Sequence, residues 1–228
     1  MRIAEHLEKG KAVKLAFLGD SVTHGYFESF NGMHGTVDYD AVYHNRLKNE
    51  LLKLYPGSAI TVINAGIGGD NAGAGLGRLE NDVIRYHPDL TVVCYGLNDV
   101  HNKIQEYTNA LDKIFLKLTD CEIETVLMTP NMLNTYVDES LNGNLREIAQ
   151  KTERYQNSGK MDALIEAAME TAEERKIVIC NCYSKWKEMY QNGVDTTALL
   201  ANKINHPKRE MHRLFAQELL NLIKQKQI

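Results

Sequence analysis

Short apolar runs alternate along the chain with segments in which apolar residues recur every three or four positions. Five of the runs are rich in Val, Ile and Thr and stay apolar at consecutive positions, as strands covered on both faces of a sheet do. These runs are VKLAFL (13–18), AITVIN (59–64), LTVVCY (90–95), ETVLMT (124–129) and KIVICN (176–181). The pattern predicts a strand at each of them.

The intervening segments carry apolar stripes at helical spacing, which predict amphipathic helices. The stripes lie within residues 43–54, 76–83, 104–118, 161–168 and 211–222. Strands separated by helices predict an α/β fold, a three-layer α/β/α sandwich around a five-stranded, parallel, doubly wound (flavodoxin-like) sheet. No repeat, low-complexity tract or shift in composition divides the chain, so we expect one domain over residues 1–228.

Composition and charge exclude some classes of partner. With 43% hydrophobic and 25% charged residues, the chain has the composition of an ordinary globular protein. Its net charge of −4 includes no basic stripe, which argues against nucleic acid as a partner. No apolar run approaches the roughly 20 residues that span a bilayer. The chain's beginning lacks the pattern of a signal peptide and leads into the first predicted strand, so we expect a cytoplasmic protein.

The cysteines fit that location as free thiols. Cys94, Cys121 and Cys180 lie in or beside predicted strands, where a thiol behaves as a small apolar side chain. Cys180 and Cys182 flank a single residue, which is too sparse for a zinc site with two pairs of ligands. The sequence therefore predicts neither a metal nor another cofactor.

Two long stretches without a clear period, residues 24–40 and 130–158, lie beyond the first and the fourth predicted strands. Ligands of open α/β sheets bind outside the carboxyl ends of the strands. Both stretches leave the sheet at that edge. We therefore expect them to shape a substrate site with a rim of mixed aromatic and polar side chains.

Polar or glycine-rich segments follow the first three predicted strands, and another precedes the last helix. They are GDSVTHG (19–25), NAGIGGDNAGAGLGRL (64–79), YGLND (95–99) and NKINHPKREMH (202–212). The second segment has Asn71 in place of the third glycine of a dinucleotide-binding loop, and no Gly-Lys-Ser/Thr of a phosphate-binding loop follows. Taken singly, the segments are also compatible with turns, a helix cap and a surface histidine.

Together the segments hold the groups that acyl transfer requires. Ser21 is a candidate nucleophile and needs a base, for which His206 and His212 are rivals. We favour His206, because His212 lies within the predicted last helix. The tetrahedral intermediate needs donors for its oxyanion. The backbone N–H groups of Ser21 and Gly69 and the side-chain amide of Asn98 supply three, all from one edge of the sheet.

These segments resemble the sequence blocks of the SGNH hydrolases, the GDSL-type esterase and lipase family. The blocks match Gly19-Asp20-Ser21-Val22, then Gly69 in GIGGDN, then Gly96-Leu97-Asn98-Asp99, and finally the segment with His206. The resemblance implies a carboxylic ester hydrolase with an α/β/α fold and one catalytic domain. It also implies that Ser21 is the nucleophile and His206 the base. Gly69 and Asn98 would then complete the oxyanion hole.

The chain departs from the family's pattern in the last block. Lys203 stands three residues before the histidine, where the family usually carries the aspartate that orients the ring. The nearest carboxylates are Asp195, which is equally suited to cap a helical turn, and Glu210, which we expect to face solvent. We therefore predict a Ser21–His206 dyad steadied by a carbonyl oxygen, with a displaced acid as the alternative.

The substrate is less defined than the reaction. The mixed rim of residues 24–40 and 130–158 favours short-chain acyl esters, O-acetyl esters above all, of a small polar or carbohydrate substrate. A lysophospholipase- or thioesterase-type lipolytic enzyme is the alternative within the family. The lysine in place of the usual aspartate leaves open a third interpretation, a catalytically inactive member that binds a ligand.

Overall fold

The strands form one large parallel sheet and one hairpin. The structure, a computed structural model, describes residues 1–30 and 34–225. Its strands are β1 (Val13–Gly19), β2 (Tyr26–Phe30), β3 (His34–Val37), β4 (Ile60–Gly66), β5 (Leu90–Cys94), β6 (Glu124–Met128) and β7 (Val178–Cys180). The central sheet has the order β4-β1-β5-β6-β7, with all neighbours parallel. This confirms the predicted doubly wound sheet, whose strand order is that of flavodoxin-like folds.

Helices cover both faces of the sheet. They are α1 (Arg2–Glu8), α2 (Ser21–His24), α3 (Tyr43–Leu54), α4 (Ala72–Asp82), α5 (Ile104–Asp120), α6 (Gly143–Asn157), α7 (Lys160–Glu174), α8 (Cys182–Gln191) and α9 (His212–Lys224). Leu15 and Phe17 of β1 share a core with α1, α3 and α9, whereas Ala16 and Leu18 share one with α4, α5 and α7. Because successive side chains of a strand point to opposite faces, two cores enclose the sheet. No helix within the described residues has the length and apolar character to cross a membrane.

The five predicted stripes correspond to α3, α4, α5, α7 and α9, but the pattern misses α1, α6, α8 and the four-residue α2. The chain's beginning is thus a helix and not merely a lead-in to β1. In α1, Ile3 and Leu7 are buried, and one such pair makes no stripe. The buried residues of α6 are Ala149, Thr152 and Gln156, two of which are polar, so this helix lacks an apolar stripe.

The two stretches expected to be irregular contain regular structure. Much of residues 24–40 forms an antiparallel hairpin of β2 and β3, of five and four residues. Strands this short leave little alternation for the sequence to reveal. Residues 31–33 of that stretch lie outside the described residues. The second half of residues 130–158 is α6.

The cysteines lie in two kinds of environment. Cys94, Cys180 and Cys182 are buried free thiols in the core that α1, α3 and α9 cover. Cys121 is a free thiol too, but it is exposed at the end of α5. The prediction of an apolar core role was wrong for Cys121, because it follows the last turn of a helix and lies outside the neighbouring strand.

Candidate active site

Ser21 is the first residue of α2, directly beyond the carboxyl end of β1. Asp20 caps this helix, because its Oδ1 accepts the Val22 N–H at 2.9 Å. Gly19 permits the turn, since a Cβ there would overlap the Thr23 hydroxyl. The turn thereby fixes the backbone on which the hydroxyl and N–H of Ser21 are presented.

The structure brings Ser21 and His206 together across 185 positions of the chain. The Nε2 atom of His206 lies 2.9 Å from the Ser21 Oγ. Its Nδ1 atom lies 2.9 Å from the carbonyl oxygen of Phe27, on β2. A carbonyl oxygen only accepts, so Nδ1 carries the proton and the Nε2 lone pair accepts the serine hydroxyl.

The surroundings of His206 keep its ring neutral. Burial lowers the pKa of His206 to about 4, although the hydrogen bond to the Phe27 carbonyl and the charge of Glu28 act in the opposite direction. At neutral pH the ring therefore has a free lone pair. A neutral imidazole within hydrogen-bond reach of a hydroxyl is the form that general-base chemistry needs.

Asn202 organises the loop that carries His206. Its Oδ1 accepts three successive N–H groups, those of Ile204, Asn205 and His206, at 2.9 to 3.0 Å. Its Nδ2 donates to the Asn205 side chain at 2.9 Å. This amide folds the loop into a compact turn and leaves the imidazole directed at Ser21.

No carboxylate of the described residues hydrogen-bonds to His206. The ammonium of Lys203 lies 3.8 Å from an oxygen of Asp138. Asp195 accepts a backbone N–H of the following turn and a tyrosine hydroxyl, both at 2.9 Å. Glu210 is exposed. The hydrogen-bond partner of His206 Nδ1 is thus a backbone carbonyl oxygen, which is the kind of partner that the sequence analysis favours over Asp195 and Glu210.

The rival base, His212, is fully buried at the first position of α9. Its Nδ1 accepts the Tyr43 N–H at 3.1 Å, and its ring packs on that of Phe27. Burial lowers its pKa to about 3. His212 therefore belongs to the core. The last helix begins at His212 itself, and Pro207 lies before it in an isolated β-bridge with Leu200.

The oxyanion donors predicted from the sequence line the same cavity as Ser21 and His206. The Asn98 Nδ2 donates one N–H to the Asp70 carbonyl oxygen at 2.7 Å, which fixes the plane of the amide. The other N–H of this amide donates to no described residue, so it can donate to a ligand. Gly69 has φ +79°, a conformation that favours glycine, and an added Cβ would meet no described atom within 4 Å.

A mostly buried ion pair, which the sequence analysis did not predict, supports this side of the site. Arg78 lies 2.7 Å from a carboxylate oxygen of Asp70, and it donates to the Gly19 carbonyl oxygen at 3.1 Å and to the Tyr95 hydroxyl at 3.0 Å. Arg78 therefore ties the strand end before the nucleophile to the loop that orients Asn98. The sequence does show Arg78 eight positions after Asp70 in the glycine-rich segment. That spacing alone does not identify the two residues as partners.

Two buried carboxylates brace the strand ends around the site. Burial raises the pKa of Asp20 to about 7 and that of Asp99 to about 6. Asp99 accepts the N–H groups of Ala72 and Gly96, both at 3.0 Å. It therefore joins the start of α4 to the end of β5, and it acts as a structural carboxylate.

The cavity above Ser21 has a volume of about 660 Å³. Its apolar lining residues are Tyr26, Ile67, Leu145, Ile148 and Ile204, and its polar ones include His24, Ser29, His101, Lys151, Thr152, Asn202 and Asn205. Both stretches predicted to shape a substrate site contribute, the first through the hairpin and the second through α6. A larger hollow of about 820 Å³ near the α6–α7 turn contains none of the predicted site residues.

The fold and the meeting of serine and histidine at the carboxyl edge of the sheet define a class of protein, the SGNH hydrolases. Comparison with known proteins gives the same class. The chain belongs to the GDSL-like lipase/acylhydrolase family, whose model matches residues 17–214. It is therefore a hydrolase of carboxylic esters.

Two relatives of the chain bear the names of esterases. The chain is 25% identical over 226 residues to an acetylxylan esterase from Geobacillus stearothermophilus, covering 94% of this chain and 95% of the relative. It is 30% identical over 131 residues to an arylesterase from Vibrio mimicus, covering 55% of this chain and 60% of the relative.

Two solved structures have a similar fold. One is a mutant of an acetyl-xylooligosaccharide esterase from Geobacillus, with a TM-score of 0.71, 25% identity and coverage of 94% of this chain and 95% of that one. The other is a two-domain esterase active on acetylated mannans, with a TM-score of 0.72 and 18% identity. That match covers 99% of this chain and 53% of the other, so the present chain corresponds in length to about half of the two-domain protein.

Proposed function

We propose that this esterase removes short acyl groups, acetyl above all, from a carbohydrate or another small polar alcohol through an acyl-enzyme on Ser21. The observation that carries the proposal is the 2.9 Å contact between Ser21 Oγ and His206 Nε2 at the floor of the cavity. The acetylxylan esterase to which the chain is similar over nearly its whole length supports the choice of an acetylated carbohydrate.

The first half of the reaction uses every group in the predicted site. The His206 Nε2 takes the hydroxyl proton while Ser21 Oγ attacks the acyl carbon. Negative charge develops on the carbonyl oxygen, and it is stabilised by the N–H groups of Ser21 and Gly69 and by the second N–H of the Asn98 amide. The protonated His206 then gives its proton to the departing alkoxide, which leaves as the alcohol.

The second half repeats these steps with water. His206 takes a proton from a water molecule, whose oxygen attacks the acyl carbon on Ser21. The same donors stabilise the second oxyanion. As the intermediate collapses, the proton on His206 returns to Ser21 Oγ, and the carboxylic acid is released.

The cavity lining supports a small, polar substrate. Lys151 and Asn205 present polar groups within it, and a polar alcohol such as a sugar has hydroxyl groups to pair with them. The lipolytic alternative has its own observation: Ile67 and Ile148, which border the cavity, are 44% and 39% exposed. An apolar chain would cover these two side chains.

A series of p-nitrophenyl esters from acetate to palmitate tests the choice between these substrates. We expect kcat/KM to be highest for acetate and to fall as the acyl chain lengthens, because the polar part of the lining offers no apolar surface to bury the added methylene groups. Highest kcat/KM on the long chains would establish the lipolytic alternative.

A cytoplasmic location, a single domain and the absence of nucleic-acid partners stay predictions.

Covalent labelling tests the nucleophile and the inactive-member alternative together. A fluorescent alkyl phosphonate should label Ser21 and abolish hydrolysis of p-nitrophenyl acetate, and Ser21→Ala should remove both labelling and turnover. Without the nucleophile, the loss in kcat should approach the roughly 10⁶-fold seen in a serine hydrolase. Label on another residue, or full activity of Ser21→Ala, would overturn the assignment. Absence of both activity and label in the native chain would establish a ligand-binding member.

A further inference from the structure

Arg209 holds together the two strands of the hairpin that delivers the Phe27 carbonyl. Its Nη1 and Nη2 donate to the two carboxylate oxygens of Glu28 on β2, at 2.5 and 3.2 Å. Its Nε donates to Asp38, the residue after β3, at 2.8 Å. One planar guanidinium therefore spans both strands, a geometry that suits arginine and not lysine.

The same guanidinium lies against the residue that holds the catalytic histidine. The Arg209 Cζ is 4.4 Å from the centroid of the Phe27 ring, within the range of a cation–π contact. Phe27 thus has Arg209 over its ring and His206 on its carbonyl oxygen. Because His206 and Arg209 are three residues apart, this segment is attached to the hairpin at two points.

The hairpin needs such an attachment. Within the part of the chain that the structure describes, β2 and β3 pair only with each other and not with the central sheet. An isolated two-stranded hairpin is marginally stable in water. A neutral carbonyl is also a weaker acceptor than a carboxylate, whose charge-assisted bonds are about twice as strong. The position of the Phe27 carbonyl is therefore set by side-chain contacts, those of the fully buried Phe27 ring in the core and those of Arg209 with Glu28 and Asp38.

We propose that Arg209 is a positioning residue for ester hydrolysis, which locks the hairpin so that the Phe27 carbonyl holds His206 in its reactive tautomer and orientation. This proposal rests on the proposed function of Ser21 and His206. Arg209 touches neither residue of that pair by a hydrogen bond; it acts through the hairpin. In this chain, an ion-paired hairpin does part of the work that an aspartate does in a full triad.

The test compares Arg209→Gln and Arg209→Lys with a matched control, Arg175→Gln. Arg175 makes a similar two-point pair with Asp112, at 2.5 and 2.9 Å and with similar exposure, but outside the site, since Arg175 directly follows α7 and Asp112 lies in α5. The measurements are kcat and KM on p-nitrophenyl acetate, with kcat expressed per serine titrated by the fluorescent phosphonate. The melting temperature is recorded for each variant.

Arg209→Gln should lower kcat per titrated serine by about 10- to 100-fold, less than the roughly 10⁴-fold loss caused by a wrong tautomer in a full triad. KM should stay within about twofold, because ground-state binding is not altered. Arg209→Lys should lie between Arg209→Gln and the native enzyme, since lysine keeps the charge but not the fork. Arg175→Gln should keep the native kcat. The proton on His206 Nδ1, observed by NMR, should shift in both Arg209 variants and not in the control.

An unchanged kcat per titrated serine in Arg209→Gln would overturn the proposal, even if less of the protein folded. So would a rise in KM at constant kcat. Should Arg209→Gln not fold at all, Arg209→Lys decides by the same two quantities. Failure of the proposed function itself looks different, because the native enzyme would then carry no phosphonate on Ser21.

Discussion

The two sides of the site are built in different ways. The side with the proposed oxyanion donors, here called the oxyanion side, stands on the ends of β1, β4 and β5. Its ion pair is mostly buried: Arg78 is 15% and Asp70 8% exposed. The base side stands on the hairpin and on the loop before α9, and the corresponding pair is half-buried: Arg209 is 35% and Glu28 36% exposed. Breaking a mostly buried pair leaves a charge where water solvates it poorly, whereas a half-exposed pair is screened by water and contributes less to stability. Loss of the ion pair should therefore affect mainly folding on the first side and mainly turnover on the second.

The largest effect is expected for Arg78→Gln. This change leaves the Asp70 carboxylate without its cation and the Gly19 carbonyl with one donor, the Ile67 N–H, instead of two. The free energy of unfolding should therefore fall by about 3–5 kcal/mol. Urea denaturation gives the quantity directly, with Arg209→Gln as the counterpart from the other side, expected to lose about 1 kcal/mol or less. Equal losses in the two variants would remove the distinction between the sides.

Much of the buried side was predictable from sequence. Strand ends of a doubly wound sheet meet at one edge, so Ser21, Gly69 and Asn98 could be grouped from their places after three apolar runs. Arg78 could not be grouped with them, because its partners depend on how α4 packs over the strand ends.

The base side was less predictable, for physical reasons. The acceptor at His206 is a backbone carbonyl, and a backbone atom is the same whichever residue bears it. The strands of the hairpin are too short to show alternation, and the Arg209–Glu28 pair joins residues 181 positions apart. The lysine at position 203 indicated that an aspartate was missing there, but not which atom took its place.

The second prediction sharpens the comparison within the oxyanion side. Asn98→Ala removes one oxyanion donor, so kcat should fall by about 10²–10³, with little change in KM. Asn71→Ala is the matched control, because Asn71 only caps α4 by accepting the Ala74 N–H at 3.0 Å. It should lose about 1 kcal/mol of stability and keep its kcat. Normal turnover by folded Asn98→Ala enzyme would reduce Asn98 to a structural residue.

The smallest effects are expected for Asp195→Asn and Glu210→Gln, which ask whether a displaced carboxylate completes a triad on the base side. The Asp195 carboxylate is occupied by the Ala198 N–H and a tyrosine hydroxyl, and Glu210 is exposed. Both substitutions preserve shape and an acceptor oxygen, so the loop before α9 should keep its fold. With the Phe27 carbonyl as the partner of His206, kcat should change by no more than a few-fold in either variant. A loss of about 10⁴ in one of them would identify a true third member and refute the dyad. In that case the Arg209 variants should lose far less activity than proposed, because the carboxylate and not the hairpin would orient the ring.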